Sequence, residues 1–453
     1  MMDDLKVEQI KIPHTKLTNF VSFDGGIQMT TLHQRPDRYR NLEEIPTNVP
    51  RIARGGGYSY VAASFGKNIL TQEMKSFNRI LEFDEITKSV VVEAGITLIE
   101  LLKWSFAKKL FLKIQPGHPY ITIGGCVAAN VHGKNPQKDG TFVDIISEIK
   151  LYHPDYGIKT ISRTKDSTVF DLTCGGLGLT GTILSVKLQL HTLPSDRMIF
   201  ERIPIESLID AAEYFKKNAD VDFISSWHDG SPLKKNFGKG VLYKGIFAKD
   251  FQSNKLIIPK KEALTPFTRA KLPFSIWNKT TAALAYSLYR RREINGPQKF
   301  ERGIFDSLFP FGGNAKAFHL FFGKNGFSEY QILVPLTRVE EFVNDLTKLI
   351  TNEKPPLIVI FMKPFSGVQK YLQYCGSGIT IALDFQRSPL TNVVMSKIDN
   401  LTISYGAIPN IIKGPKKEVV KSCFLEYYKF IDDLKKFDPK RVYKSDLSEK
   451  LGL

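Results

Sequence analysis

Apolar and polar positions alternate in short runs from about residue 15 to 190, and glycine-rich turns separate the runs. "SVVVEAG" (Ser89–Gly95) has the pattern of a short strand closed by a glycine. The next stretch, "TLIELLKWSFAKKL" (Thr97–Leu110), switches to helical spacing, with Thr97 as N-cap and Glu100 at the capping-box position. Strand, turn and amphipathic helix predict an α+β domain. From about residue 195 the texture shifts. "IPIESLIDAAEYFKKNADVDFISSWHDG" predicts a helix between two strands, and "SEYQILVPLTRVEEFVNDLTKLI", "PPLIVIFMKPF" and "GITIALDF" continue the pattern to about residue 412. These predict a second α+β domain. Residues 250–310 have poor periodicity and many aromatic and basic residues, the signature expected of a mobile segment.

Composition narrows the class. A chain of 453 residues is too long for one compact core, so two domains are expected. Hydrophobic content of 42% and charged content of 24% are those of a soluble globular protein. No apolar run approaches about 18 residues, and "MMDDLKVEQIKIPH" lacks the apolar core of a secretory signal. Four cysteines without a CxxC pair exclude a zinc ribbon or disulfide framework, predict no metal and fit a reducing cytoplasm. The net charge of +17 attracts phosphate-bearing partners: phosphorylated ligands, anionic membrane surfaces or nucleic acid. No zinc-finger, RRM-like or helix-turn-helix pattern accompanies it, which places nucleic acid last and predicts no such partner.

Three glycine clusters carry the chemistry: "RGGGYSY" (Arg54–Tyr60), "PGHPYITIGGCVAANVHGKN" (Pro116–Asn135) and "CGGLGLTG" (Cys174–Gly181). None is GxGxxG or a Walker loop, so neither a Rossmann site nor a P-loop is predicted. Bare backbone lets a main chain approach a large flat ligand closely and aim its amides at an anion. The expected ligand is bulky, planar and anionic. Cys126 and Cys174 read as small apolar fillers.

With those clusters in that order, together with "SSWHDG", "YQILVP", "GITIALDF", "GAIPNIIKG" and the ending "SDLSEKLGL", the chain resembles the FAD-binding oxidoreductases of the vanillyl-alcohol oxidase and p-cresol methylhydroxylase (PCMH-type) fold. Within that fold it is similar to a subfamily that oxidises the 2′-hydroxyl of a polyprenyl-phosphoryl ribose, the oxidase half of an epimerisation. The resemblance implies a two-domain α+β fold: an FAD-binding domain over 1–194, a substrate-binding cap over 195–412, and a C-terminal segment, 413–453, that returns to the first domain. It implies a cofactor cradle built from Arg54, Gly55, Gly56, Gly57, Tyr58, Ser59 and Tyr60, then Pro116, Gly117, Thr122, Gly124, Gly125, Cys126, Ala128, Ala129, Asn130, His132, Gly133 and Asn135, and finally Gly178, Gly181 and Ile183. Lys134, Gln331, Lys363, Trp227 and Phe318 are implied to bind substrate. Relatives with covalent flavin carry a histidine in the first loop. Tyr58 stands there instead, which implies non-covalent FAD and argues against the aldonolactone oxidases. Phe318 stands where close relatives have tryptophan, a departure at the lip of the pocket.

Hydride transfer from an alcohol to flavin N5 also requires a partner for the hydroxyl proton. Lys413 serves as a base if its pKa is depressed, or as an electrostatic stabiliser if protonated. His132 is its rival, with the more convenient intrinsic pKa. "LPFSIWNKTTAALAYSLYRRREING" (Leu272–Gly296) mixes Trp277, Tyr286, Leu288 and Tyr289 with Arg290, Arg291 and Arg292, which suits docking at the inner face of an anionic membrane. A short-chain reductase partner is expected if the resemblance extends to the pathway. Two alternatives stand beside this reading: an oxidase of a soluble aldonolactone or sugar alcohol using oxygen, and a flavin-binding assembly partner with little turnover.

Overall fold

The computed structural model describes residues 12–218, 220–231, 237–258, 279–310 and 326–453. Helices and strands are mixed, the α+β class expected of a PCMH-type fold. A four-stranded sheet comes first, built from β1 (Thr15–Val21), β2 (Gln28–Gln34), β3 (Arg51–Arg54) and β4 (Leu70–Glu73) in the order β1-β2-β4-β3. β5 (Ile80–Asp84) and β6 (Ser89–Glu93) open a second sheet. Between its strands the chain forms α1 (Leu98–Phe106), β7 (Leu110–Phe111) and α2 (Ile123–Ala128). β8 (Ile146–His153), β9 (Gly157–Ser162) and β10 (Thr182–Gln189) complete the order β5-β6-β10-β8-β9, antiparallel throughout. The capping box at Thr97 is formed: its hydroxyl accepts from the Glu100 amide while the Glu100 carboxylate accepts from the Thr97 amide. The helix stops at Phe106, short of the predicted Leu110. Lys109 adopts φ 52°, and Leu110–Phe111 pair instead with β11 (His191–Thr192).

After β11 an eight-stranded antiparallel sheet forms among the described residues. Its strands are β12 (Arg197–Ile205), β13 (Phe223–Asp229), β14 (Gly240–Phe247), β15 (Lys299–Gly303), β16 (Phe327–Pro335), β17 (Leu357–Phe365), β18 (Gly378–Gln386) and β19 (Ile408–Pro409), ordered β15-β12-β14-β13-β17-β18-β16-β19. Three helices, α3 (Leu208–Lys217), α5 (Val339–Glu353) and α6 (Pro389–Ser404), cover one face; α4 (Lys279–Asn295) precedes β15. Strand alternation sorts the side chains. Ile379, Ile381, Leu383 and Phe385 of β18 enter the core with Val343, Leu346 and Ile398 of the helices. Thr380, Ala382 and Asp384 therefore lie on the opposite face. That face, opposite α3, α5 and α6, carries the polar side chains described below.

α4 gives residues 279–295, within the stretch 250–310 expected to be mobile, a regular helix. Tyr286 and Glu293 point inward along it; the Glu293 carboxylate accepts from Arg202 Nε at 2.7 Å and from the Tyr243 hydroxyl at 2.8 Å. This ion pair and the contacts of Tyr286 and Tyr289 with Trp227 fasten the helix. Residues 259–278, including Trp277, lie outside the described residues. C-terminal helices α7 (Lys417–Cys423), α8 (Tyr427–Phe437) and α9 (Asp446–Leu451) share a core with Val61, Leu172, Leu177 and Leu179, and Tyr443 bridges to Arg51 at the start of β3.

Candidate active site

β3 delivers Arg54 and the glycine turn to the mouth of a narrow cleft. Gly57 has φ 76°, and a Cβ on Gly56 would lie 2.6 Å from the Tyr120 carbonyl oxygen, so side chains are excluded where the loop meets the opposite wall. The guanidinium of Arg54 lies over the Phe20 ring at 4.6 Å and donates to Ser64 Oγ at 2.8 Å. Thr122 caps α2 and, with Gly124, Gly125, Ala128 and Ala129, forms the second wall; Gly178, Gly181 and Ile183 form the third. Arg54 is the one formally charged side chain among the lining residues, and no carboxylate faces the cleft. Backbone amides, small residues and one arginine suit a flat dinucleotide with a pyrophosphate.

Several expected cradle residues lie away from the lining. Cys126 is fully buried on the inner side of α2. Asn130 turns inward, donating to Thr141 Oγ1 at 3.1 Å and accepting from the Val143 amide at 2.9 Å. Asn135 bonds Asp139, while Tyr60, Pro116, Gly117, His132 and Gly133 do not line the cleft. Ala94, Leu177 and Ile412, next in sequence to Gly95, Gly178 and Lys413, also line it, as does Met74, which no such neighbour marks.

Four side chains beyond the cleft form a polar chain whose proton positions can be read from a backbone amide. The Ile412 N–H donates to Asn410 Oδ1 at 3.3 Å, which leaves the Asn410 amide nitrogen to donate to Gln331 Oε1 at 2.8 Å. Gln331 Nε2 then faces His132 Nε2 at 3.4 Å, so that ring nitrogen accepts and Nδ1 carries the proton. Lys363 Nζ lies 2.8 Å from Nδ1 and donates to the Gly133 carbonyl at 3.2 Å. A neutral amine satisfies both contacts. Burial, then the charges of Lys134 and Lys413, hold the Lys363 pKa well below its ordinary value. Burial first, then repulsion from a protonated Lys363, lowers the pKa of His132 in the same way, so the two side chains do not carry charge together. Both side chains keep part of their surface open while their polar ends lie deep among protein atoms. Lys134, on the same stretch, is pushed down to about 8 by burial.

Lys413, expected either as a base or as an electrostatic stabiliser, lies against a carboxylate and an aromatic ring. Its ammonium lies 2.8 Å from Glu329 Oε2 and 3.3 Å from the centre of the Tyr60 ring. Glu329 on β16 is register partner to Asp384 on β18. Two carboxyl groups opposite one another in a buried place do not both ionise. Burial first, and Glu329 second, raise the Asp384 pKa well above the carboxylate range. The strand pattern had not singled out Glu329, Asp384 or Asn410. Trp227 lies beside the group, its ring tilted against Tyr289 at 4.4 Å and Tyr286 at 5.4 Å, in a cluster that also holds Phe23, Tyr60, Phe327 and Phe361. Phe318 lies outside the described residues.

Residues 46–162 match the FAD binding domain family. The chain is 24% identical over 438 residues to the decaprenylphosphoryl-beta-D-ribose oxidase of Mycolicibacterium smegmatis, covering 91% of this chain and 93% of that protein. The chain is an FAD-linked oxidoreductase. This oxidoreductase is also 21% identical over 446 residues to L-gulonolactone oxidase 3 of Arabidopsis thaliana, covering 87% and 75% of the two chains. It is 26% identical over 174 residues to the mitochondrial D-lactate dehydrogenase [cytochrome] 1 of Saccharomyces cerevisiae, covering 36% and 29%. All three relatives act on CH–OH groups, as does this oxidoreductase. No helix among its described residues is long and apolar enough to cross a membrane.

Proposed function

We propose that the oxidoreductase oxidises a secondary hydroxyl of a sugar, the 2′-hydroxyl of a polyprenyl-phosphoryl pentose such as ribose, as the oxidase half of an epimerisation completed by a separate short-chain reductase. One observation carries the reading. The neutral His132–Lys363 pair and the Lys413–Glu329 ion pair converge on the face of the sheet opposite α3, α5 and α6, and Val131 and Ile412, next in sequence to His132 and Lys413, line the cleft. In this reading residues 1–194 bind FAD in the cleft, 195–412 form the cap, and 413–453 return to the first domain. FAD in the cleft supplies the acceptor for the carbon-bound hydride. The hydroxyl proton passes to His132 Nε2, which the substrate reaches by displacing the long Gln331 contact, while His132 Nδ1–H gives its proton to the Lys363 amine. Lys413, committed to Glu329, stabilises negative charge on the sugar oxygen rather than acting as the base. Trp227 and its aromatic neighbours form the apolar wall.

Tyr58 in place of a histidine supports non-covalent FAD, which acid precipitation tests: the chromophore stays in the supernatant. Leu284 and Leu288 are 60% and 59% exposed on α4 beside exposed Arg291 and Arg292, which supports docking at the inner face of an anionic membrane. The deciding experiment is anaerobic bleaching of the visible flavin band by farnesylphosphoryl ribose. Bleaching is expected; a yellow protein left unchanged by that substrate refutes the substrate class. The similarity to L-gulonolactone oxidase 3 favours a second reading, a soluble lactone or sugar alcohol with oxygen as acceptor, and bleaching by those substrates alone would establish it.

A further inference from the structure

The turn between β1 and β2 reaches the eight-stranded sheet through a buried carboxylate. Asp24 Oδ1 accepts from the Ser22 hydroxyl at 2.6 Å and from the Gly26 amide at 2.9 Å, and Oδ2 pairs with the Arg387 guanidinium. Arg387 follows β18 directly. It also donates to the Phe327 carbonyl at 2.9 Å and to Ser328 Oγ at 3.3 Å, both at the start of β16. The fit is close: a Cβ on Gly326 would lie 2.6 Å from the Asp24 carbonyl oxygen. Two residues 363 positions apart thus lock the turn to the strand that carries Glu329 and Gln331.

Phe23, next to Asp24, extends this lock to the polar centre. Its amide donates to the Ser59 carbonyl at 2.9 Å, in the glycine turn of the cofactor cleft. Its ring meets Tyr60 at 5.2 Å, Tyr58 at 5.7 Å and, edge-on, Phe327 at 6.4 Å. Tyr60 is in turn edge-on to Phe327 at 5.6 Å and carries the Lys413 ammonium over its face. Aromatic contacts alone tolerate sliding. The ion pair at one end and the Ser59 bond at the other fix where Phe23 sits, and Phe23 fixes Tyr60. A cation is drawn to the face of a ring only at close range, so a displaced Tyr60 moves Lys413 with it.

We propose that Asp24 and Arg387 are positioning residues for the oxidation: through Phe23 and Tyr60 they set the place of the Lys413 ammonium. This role rests on the sugar-oxidation reading, in which that ammonium stabilises negative charge on the oxygen being oxidised. Both residues act through their neighbours, so they govern the rate of flavin reduction rather than the capture of substrate.

Stopped-flow reduction of the FAD-loaded protein by farnesylphosphoryl ribose, without oxygen, tests this. Asp24→Asn should lower the limiting reduction rate at least about tenfold, with the half-saturating concentration changed less than about threefold and the FAD content unchanged. Arg387→Lys, which keeps the charge and loses the fork of donors shared among Asp24, Phe327 and Ser328, should fall between. Phe23→Leu leaves the ion pair in place and should slow reduction likewise. An unchanged limiting rate in both Asp24→Asn and Phe23→Leu, or a loss confined to half-saturation, overturns the proposal. If no phosphoryl sugar reduces the wild-type flavin, the sugar oxidation fails and the positioning is read without substrate: Asp24→Asn and Lys413→Met should be non-additive in the unfolding midpoint of the FAD-loaded protein. Additive midpoints overturn the positioning as well.

Discussion

Replacing Glu329 by Gln leaves the Lys413 ammonium without its carboxylate, at a site where both side chains are only 12% exposed. At 2.8 Å and an effective dielectric of about 20 the pair's Coulomb energy is about 6 kcal/mol. Desolvation offsets much of that, yet removing one partner of such a pair ordinarily costs about 3–5 kcal/mol. Here the cost should be smaller, because Asp384 stands opposite in register. With Glu329 gone, the repulsion on Asp384 disappears, the attraction of Lys413 remains, and Asp384 ionises in its place. We expect Glu329→Gln to cost about 1–2 kcal/mol, Asp384→Asn less than about 1, and the double variant about 3–5, a coupling of about 2 kcal/mol. The assay is the unfolding midpoint of the FAD-loaded protein at neutral pH, where about 2–4 °C corresponds to each kcal/mol for domains of this size. Additive midpoints, or an Asp384→Asn variant as damaged as Glu329→Gln, would refute a shared proton on this carboxyl pair.

Asp384 also sets a pH dependence. Its native pKa is raised above its unfolded value, so its stabilising contribution is complete in acid and is lost as pH rises through the native value; midpoints measured against pH should fall less steeply in Asp384→Asn. Asn410→Asp removes the donor to Gln331 Oε1, frees that amide to turn its oxygen toward His132, and should slow anaerobic flavin reduction by about 100-fold with FAD retained; an unaltered rate refutes the proton assignment. Gly56→Ala forces a Cβ against the Tyr120 carbonyl and should lower the FAD content of the purified protein, read from its visible spectrum.

Local signals in the sequence were readable wherever the physics is local. The Thr97 capping box depends on residues three apart, and it formed where the pattern placed it. Arg54, the glycine turn, Thr122 and Gly178 line the cleft because glycines mark close backbone approach wherever it occurs. Glu329, Asp384 and Asn410 were not legible for the opposite reason. Alternation shows that residue 329 shares a face with residue 331, but not that β16 pairs with β18 or that Asn410 lies under Gln331. Lys413 was readable as a site lysine through resemblance alone; its carboxylate partner is 84 residues away in sequence. α4 was not legible because what seats it is distant in sequence: Arg202, 91 residues from Glu293, and Trp227, against Tyr286 and Tyr289.

The division of labour across the eight-stranded sheet has an evolutionary consequence. Thr380 and Ala382 lie in register between Lys363 and Phe361 on one side and Gln331 on the other, while their neighbours Ile379, Ile381 and Leu383 belong wholly to the core beneath the helices. Changes of size or polarity at those two positions reshape the floor between the working side chains and leave the packing on the other face intact. A lineage can thus explore new substrates by exchanging alternate letters of one strand, with the intervening letters preserving the fold throughout.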